Sequence, residues 1–142
     1  MPLIIEISRA WGWAGIHPEE VVAENDFGNL LVRATDGRYW RITPEEGMCE
    51  VVADDKASFE VLLRDQEFLH DWYMCELVEV ARKHLGELTP PRKYCLKVPG
   101  YLGGAYDMPN LASAPIHEII GMAGDLARQT YEPPSAPLLC DC

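Results

Sequence analysis

Asp36-Gly37 stands between two runs with the spacing of strands: an apolar one over 29–35, and an alternating one over 38–43 in which Arg38, Trp40 and Ile42 oppose Tyr39, Arg41 and Thr43. A two-residue Asp-Gly loop supplies the positive φ that a type I′ turn requires, and the twist of that turn matches the strands on either side. The segment is therefore committed to a β-hairpin. Pro44-Glu45-Glu46-Gly47 reads as the next turn, and the β-branched residues between Met48 and Ala53 add a third antiparallel strand, giving a meander on which the rest of the chain must pack.

Upstream, His17-Pro18-Glu19-Glu20 puts a proline and acids where a first helical turn favours them, predicting a short helix through Val21, Val22 and Ala23 that ends at Asn25. Downstream, helical spacing starts at about Lys56 with Phe59, Leu62 and Leu63, and a longer helix is predicted from Gln66 to Leu85. Its stripe is Met74, Leu77, Val78, Ala81 and Leu85, with Phe68, Trp72 and Cys75 broadening the buried face and Gly86 as the stop. A later strand over 93–98, a glycine-rich irregular segment to Asn110, and a last helix carrying Ile116, Ile119, Ile120, Ala123 and Ala127 follow, with Ser113 as its cap and Pro115 in its first turn. The fold class expected is α+β: an antiparallel sheet, made of a hairpin or meander plus a later strand, packed by several α-helices. A length of 142 residues suits one core, so residues 1–132 are expected to form a single domain and 133–142 a proline-rich, cysteine-containing flexible tail.

Charge narrows the function. The chain holds 12 Lys+Arg against 23 Asp+Glu, a formal net charge of -11, which opposes binding to nucleic acid and to anionic membranes. Between Glu45 and Glu79 the acids Glu45, Glu46, Glu50, Asp54, Asp55, Glu60, Asp65, Glu67, Asp71, Glu76 and Glu79 face only Lys56 and Arg64. Such a run is either a solvated helix face or an electrostatic decoy for a basic partner.

Chemistry has little support. The 5 cysteines include no Cys-x-x-Cys pair; Cys49, Cys75 and Cys95 read as small hydrophobes, and Cys140 and Cys142 lie in the tail. Leu3-Ile4-Ile5 is cut off by Glu6, Ser8 and Arg9, too short for a signal-peptide core or a membrane span, so a cytoplasmic location is expected. His17, His70, His84 and His117 share no metal-ligand spacing. Asp54-Asp55-Lys56 matches the acid-x-Lys triplet of some nucleases, but triplets arise by chance and a chain this acidic would repel such a substrate. Gly103-Gly104-Ala105-Tyr106-Asp107 could cradle an anion through its amides or simply make a sharp turn. No catalytic residue, metal or cofactor is assigned.

Five segments, in order, carry a resemblance: Asn25-Asp26-Phe27-Gly28-Asn29-Leu30; Asp36-Gly37-Arg38-Tyr39-Trp40-Arg41-Ile42-Thr43-Pro44-Glu45-Glu46; Asp71-Trp72; Tyr94 to Asp107 with its Leu-Gly-Gly-x-Tyr-Asp core; and Gly124-Asp125-Leu126-Ala127-Arg128-Gln129. The set resembles the C-terminal domain of the Tdi-type immunity proteins of bacterial type VI secretion systems, over roughly Trp11 to Thr130. The resemblance implies a cytoplasmic, non-enzymatic protein that binds a co-encoded effector toxin, often a nuclease, acting alone or as a homodimer. Combined with the charge pattern, it makes Asp54, Asp55, Glu60, Asp65, Glu67, Asp71, Glu76 and Glu79 candidate toxin contacts, with Tyr73 and Tyr101 as aromatic anchors. Reversal of Asp65, Glu67 and Asp71 to lysine is the substitution this pattern suggests. The alternative is a ligand- or peptide-binding scaffold domain that uses the Gly100 to Asn110 loop.

Overall fold

The computed structural model describes residues 2–131, so the tail expected over 133–142, with Cys140 and Cys142, lies outside the described residues. The hairpin expected at Asp36-Gly37 forms between β2 (Leu30–Ala34) and β3 (Tyr39–Thr43), but not through a two-residue type I′ loop: Gly37 is at φ 88° while Asp36 is not at positive φ, and the Gly37 amide donates to the Ala34 carbonyl at 3.0 Å, so the turn spans Ala34 to Gly37. β4 (Met48–Ala53) completes the meander.

The segment read as a short helix after His17 is instead a strand, β1 (Pro18–Glu24), which pairs antiparallel with β2 and makes the sheet four-stranded in the order β1-β2-β3-β4. Proline is tolerated here because β1 is an edge strand and Pro18 its first residue. Its acids are taken up across the sheet: Arg33 reaches Glu19 at 3.3 Å and Glu20 at 2.7 Å. Ahead of it, Leu3–Trp11 forms a helix, α1.

Register sorts the side chains of the sheet onto two faces. Leu30, Val32 and Ile42 point to one side, where α1 and the last helix, α5 (Ile116–Thr130), cover them with Ile7, Ala10, Trp11, Ile116 and Ile120. Leu31, Tyr39 and Ala53 point to the other, against Phe59 of α2 (Lys56–Leu62) and Trp72 of α3 (Gln66–Tyr73). β2 is thus apolar on both faces because it is covered on both: Leu30, Leu31 and Val32 are all fully buried.

The long helix expected over 66–85 is two helices, α3 and α4 (Cys75–Leu85), separated by Met74 in the left-handed region at φ 49°. The break turns α4 away, so Val78 and Ala81 pack with Phe27, Tyr94 and Leu111 in a third apolar cluster, while Cys75 and Leu85, expected on the buried face, are exposed. That cluster also rests on β5 (Arg92–Leu96) and β6 (Leu111–Pro115), a separate antiparallel pair. Ser113, expected as a helix cap, sits in β6 opposite Tyr94, and Pro115 is the N-cap of α5. The Tyr94 hydroxyl donates to the Gly86 carbonyl at 2.5 Å, tying the end of α4 to β5.

Candidate interaction surface

A buried polar chain runs through the middle of the domain. Asn25, 4% exposed, accepts the amides of Phe27 and Asn29 on its Oδ1 and donates Nδ2 to the Trp72 carbonyl at 2.7 Å. That last bond satisfies a terminal carbonyl of α3 two residues before the left-handed Met74. Asn29, fully buried, donates Nδ2 to Glu45 Oε1 at 2.9 Å, and its Oδ1 accepts Arg41 Nη2 at 2.8 Å. Arg41 in turn lies over the Trp72 ring at 5.2 Å and donates to Asp71 at 2.6 Å. Asn25, Asn29, Arg41, Glu45, Asp71 and Trp72 thus form a scaffold that holds β2, β3, the following turn and α3 together.

Glu45 belongs to the acidic run in sequence but not to its surface: it is 7% exposed. Burial pushes its carboxyl up to about 7, against the opposing pull of its own amide, Asn29 and Arg41. A carboxyl whose folded pKa is raised contributes stability that is fully present below its unfolded value and is lost as pH rises through the folded one. Glu45→Gln, which keeps an acceptor for Asn29 but cannot ionise, is therefore expected to gain roughly 2–3 kcal/mol relative to the wild type between pH 4.5 and pH 8, read by urea unfolding at each pH.

The candidate toxin contacts Asp54, Asp55, Glu60, Asp65, Glu67, Asp71, Tyr73, Glu76, Glu79 and Tyr101 are all exposed, but their carboxylates are not equivalent. Asp55 caps α2 through the Ser58 amide at 2.8 Å, which lowers its pKa, and Asp65 caps α3 through the amides of Glu67 and Phe68. Asp71 is paired with Arg41, Glu79 with Arg82 at 3.5 Å, and Glu76 faces His70 at 4.0 Å. Asp54, Glu60 and Glu67 have no side-chain hydrogen bond or ion pair among the described residues. Tyr73 ends α3 at 56% exposed, whereas Tyr101 lies against Gly47 in the turn before β4, close enough that a Cβ there would come within 2.7 Å of its ring.

The loop from Gly100 to Asn110 is held from within. Gly104 approaches the Val98 carbonyl so closely that any side chain would collide with it, and Gly103 adopts φ 95°. The Asn110 side chain accepts from the Val98 amide and donates to the carbonyls of Val98 and Ala105. The amides of Leu102, Gly103 and Gly104 turn back onto Pro99 and Gly100, so the sharp-turn reading accounts for these glycines and those three amides are not aimed at an anion. Between β5–β6, Pro99, α5 and the turn at Pro44 lies a largely apolar groove of about 460 Å³. No group of three or more His, Cys, Asp or Glu that could hold a metal occurs among the described residues, and none of their helices is long and apolar enough to cross a membrane. Burial raises the thiol pKa of Cys95, and that of Cys49 to about 12, which fits the small-hydrophobe reading.

A two-faced sheet between helical layers, with a fringe of exposed carboxylates and an apolar groove, defines a small α+β domain with the surfaces of a binding module. The family model described as T6SS immunity protein Tdi1, C-terminal, matches residues 53–127, and the chain belongs to this family of type VI secretion immunity proteins. No curated protein matches it. The matched stretch begins at the last residue of β4, so α1 and β1 to β3, which build most of the sheet, precede it.

Proposed function

We propose that the chain protects its producer by binding one cognate effector directly and stoichiometrically, without catalysis and in the cytoplasm, and that the effector is a nuclease with a cationic surface. The observation that carries this reading is the exposure of Asp54, Glu60 and Glu67, carboxylates that neither cap a helix nor meet a cation among the described residues. A nuclease must present cations to phosphate, and uncompensated carboxylates on α2, α3 and the approach to α2 attract that surface and accelerate encounter. Tyr73 and Tyr101 supply exposed aromatic area for a desolvated anchor.

The structure changes the substitution that tests it. Asp65 and Asp71 serve the fold as cap and as partner of Arg41, so reversing them would mix stability with binding. Asp54→Lys, Glu60→Lys and Glu67→Lys together are expected to weaken binding about a hundredfold at low salt, chiefly through the association rate, with little change in melting temperature. The partner is the secreted protein recovered with the chain by pull-down from its native host and identified by mass spectrometry. Undiminished affinity of the triple variant would remove the acidic face from the mechanism.

A further inference from the structure

The groove between α5 and the β5–β6 pair joins two chemistries that seldom meet without a ligand. Its walls are apolar, formed by Phe27, Leu96, Ile119, Met122 and Leu126, yet Glu45, an acid buried in the fold, is among the residues that line it. Glu118 and Lys97 are the other charged groups on the lining, and both are exposed. Glu45 is hydrogen-bonded by Asn29 Nδ2, at 2.9 Å to Oε1 and 3.3 Å to Oε2, and by its own amide. An ionised carboxylate offers about four acceptor sites, so capacity remains. Arg41, the nearby cation, donates its side-chain hydrogen bonds to Asn29 and Asp71 instead. A buried acid in an apolar wall is complementary to a cation on an aliphatic stem, because the stem displaces water from the walls while the cation meets the charge.

Resting on the immunity reading, we propose that this groove receives a lysine or arginine side chain of the bound effector, its methylenes packed against Ile119, Met122 and Leu126 and its cation at the Glu45 carboxylate. The proposal adds an anchor distinct from the acidic residues of α2 and α3, which pack on the opposite face of the sheet from α5.

The test has two arms. In the first, n-hexylammonium, n-hexanol and hexanoate are titrated at pH 8 into the full ¹⁵N-labelled chain. Saturable shifts at Lys97, Ala112 and Met122 are expected from hexylammonium, with affinity at least fivefold above that of hexanol, no binding of hexanoate, and loss of the preference in Glu45→Gln. In the second, the partner recovered by pull-down is bound to Glu45→Gln and to Ala112→Leu, which narrows the groove from β6 without touching the buried chain of hydrogen bonds. Both are expected to bind about tenfold more weakly while keeping the wild-type amide spectrum elsewhere. Equal binding of hexanol and hexylammonium, or full partner affinity in both variants, overturns the groove proposal. In the latter case a weakened Asp54, Glu60 and Glu67 reversal would leave the immunity reading standing. If no secreted protein is recovered, both readings fall, even if hexylammonium binds.

Discussion

Asn29→Ala is expected to cost about 4 kcal/mol of folding stability, among the largest losses available to a single substitution of a polar residue in this chain. The side chain is fully buried and serves two charged neighbours at once, donating to Glu45 and accepting from Arg41. Alanine leaves the Glu45 carboxyl without its side-chain partner and removes one of the two acceptors of Arg41. Breaking one member out of a buried ionic arrangement costs about 3–5 kcal/mol, because the orphaned groups remain dehydrated. At the outer end of the same chain Asp71, whose side chain is 73% exposed, is expected to cost no more than about 1 kcal/mol as Asp71→Asn, since water replaces what is lost. Urea unfolding of the two variants at pH 7 measures the contrast, and equal losses would show that the chain of bonds is not cooperative.

Gly124→Val is expected to cost about 3 kcal/mol for a different reason. α1 crosses α5 where Gly121 and Gly124 leave room, and a Cβ on Gly124 would stand 2.5 Å from the Ala10 carbonyl oxygen and 2.7 Å from its Cβ. Backbone cannot rotate aside as a side chain can, so the helices must separate. Separation strains the Trp11 indole bond to the Ile120 carbonyl, 3.0 Å, and the Arg9 contact with Asp125, 3.1 Å. Met122→Ala, on the same helix at a residue 71% exposed, is expected to stay within about 0.5 kcal/mol. Thermal or chemical unfolding separates the pair, and Trp11 fluorescence in Gly124→Val should shift toward that of a solvated indole.

What could be read from the sequence was what short-range chemistry decides. Asp36-Gly37 specified its hairpin, Ile116 to Ala127 its helix, and the third strand of the meander, through Ala53, followed from its β-branched residues. Pro18-Glu19-Glu20 misled because the same residues suit a helix start and a protected sheet edge, and only the pairing with Leu30–Ala34 decides between them. The break at Met74 carries no local signal, since the group that satisfies the preceding turn is Asn25, 47 residues earlier than Trp72. The same holds for the candidate surface: exposure of the acids was foreseeable from helical spacing, whereas the burial of Glu45, the capping by Asp55 and Asp65 and the capture of Asp71 by Arg41 depend on tertiary neighbours. The groove, assembled from the Pro44 turn, β5–β6 and α5, had no sequence signal at all beyond the family segments that happen to border it.

The crossing of α1 with α5 has a consequence for how the molecule comes into being on the ribosome. Trp11 and Ile120 are 109 residues apart, and Arg9 and Asp125 are 116 apart, so α1 can pack on Leu30, Val32 and Ile42 as soon as the sheet is made, whereas its seam with α5 closes only after everything between them has been synthesised. At ordinary elongation rates that interval is roughly ten seconds, during which the part of this face that Ile116 and Ile120 cover stays open.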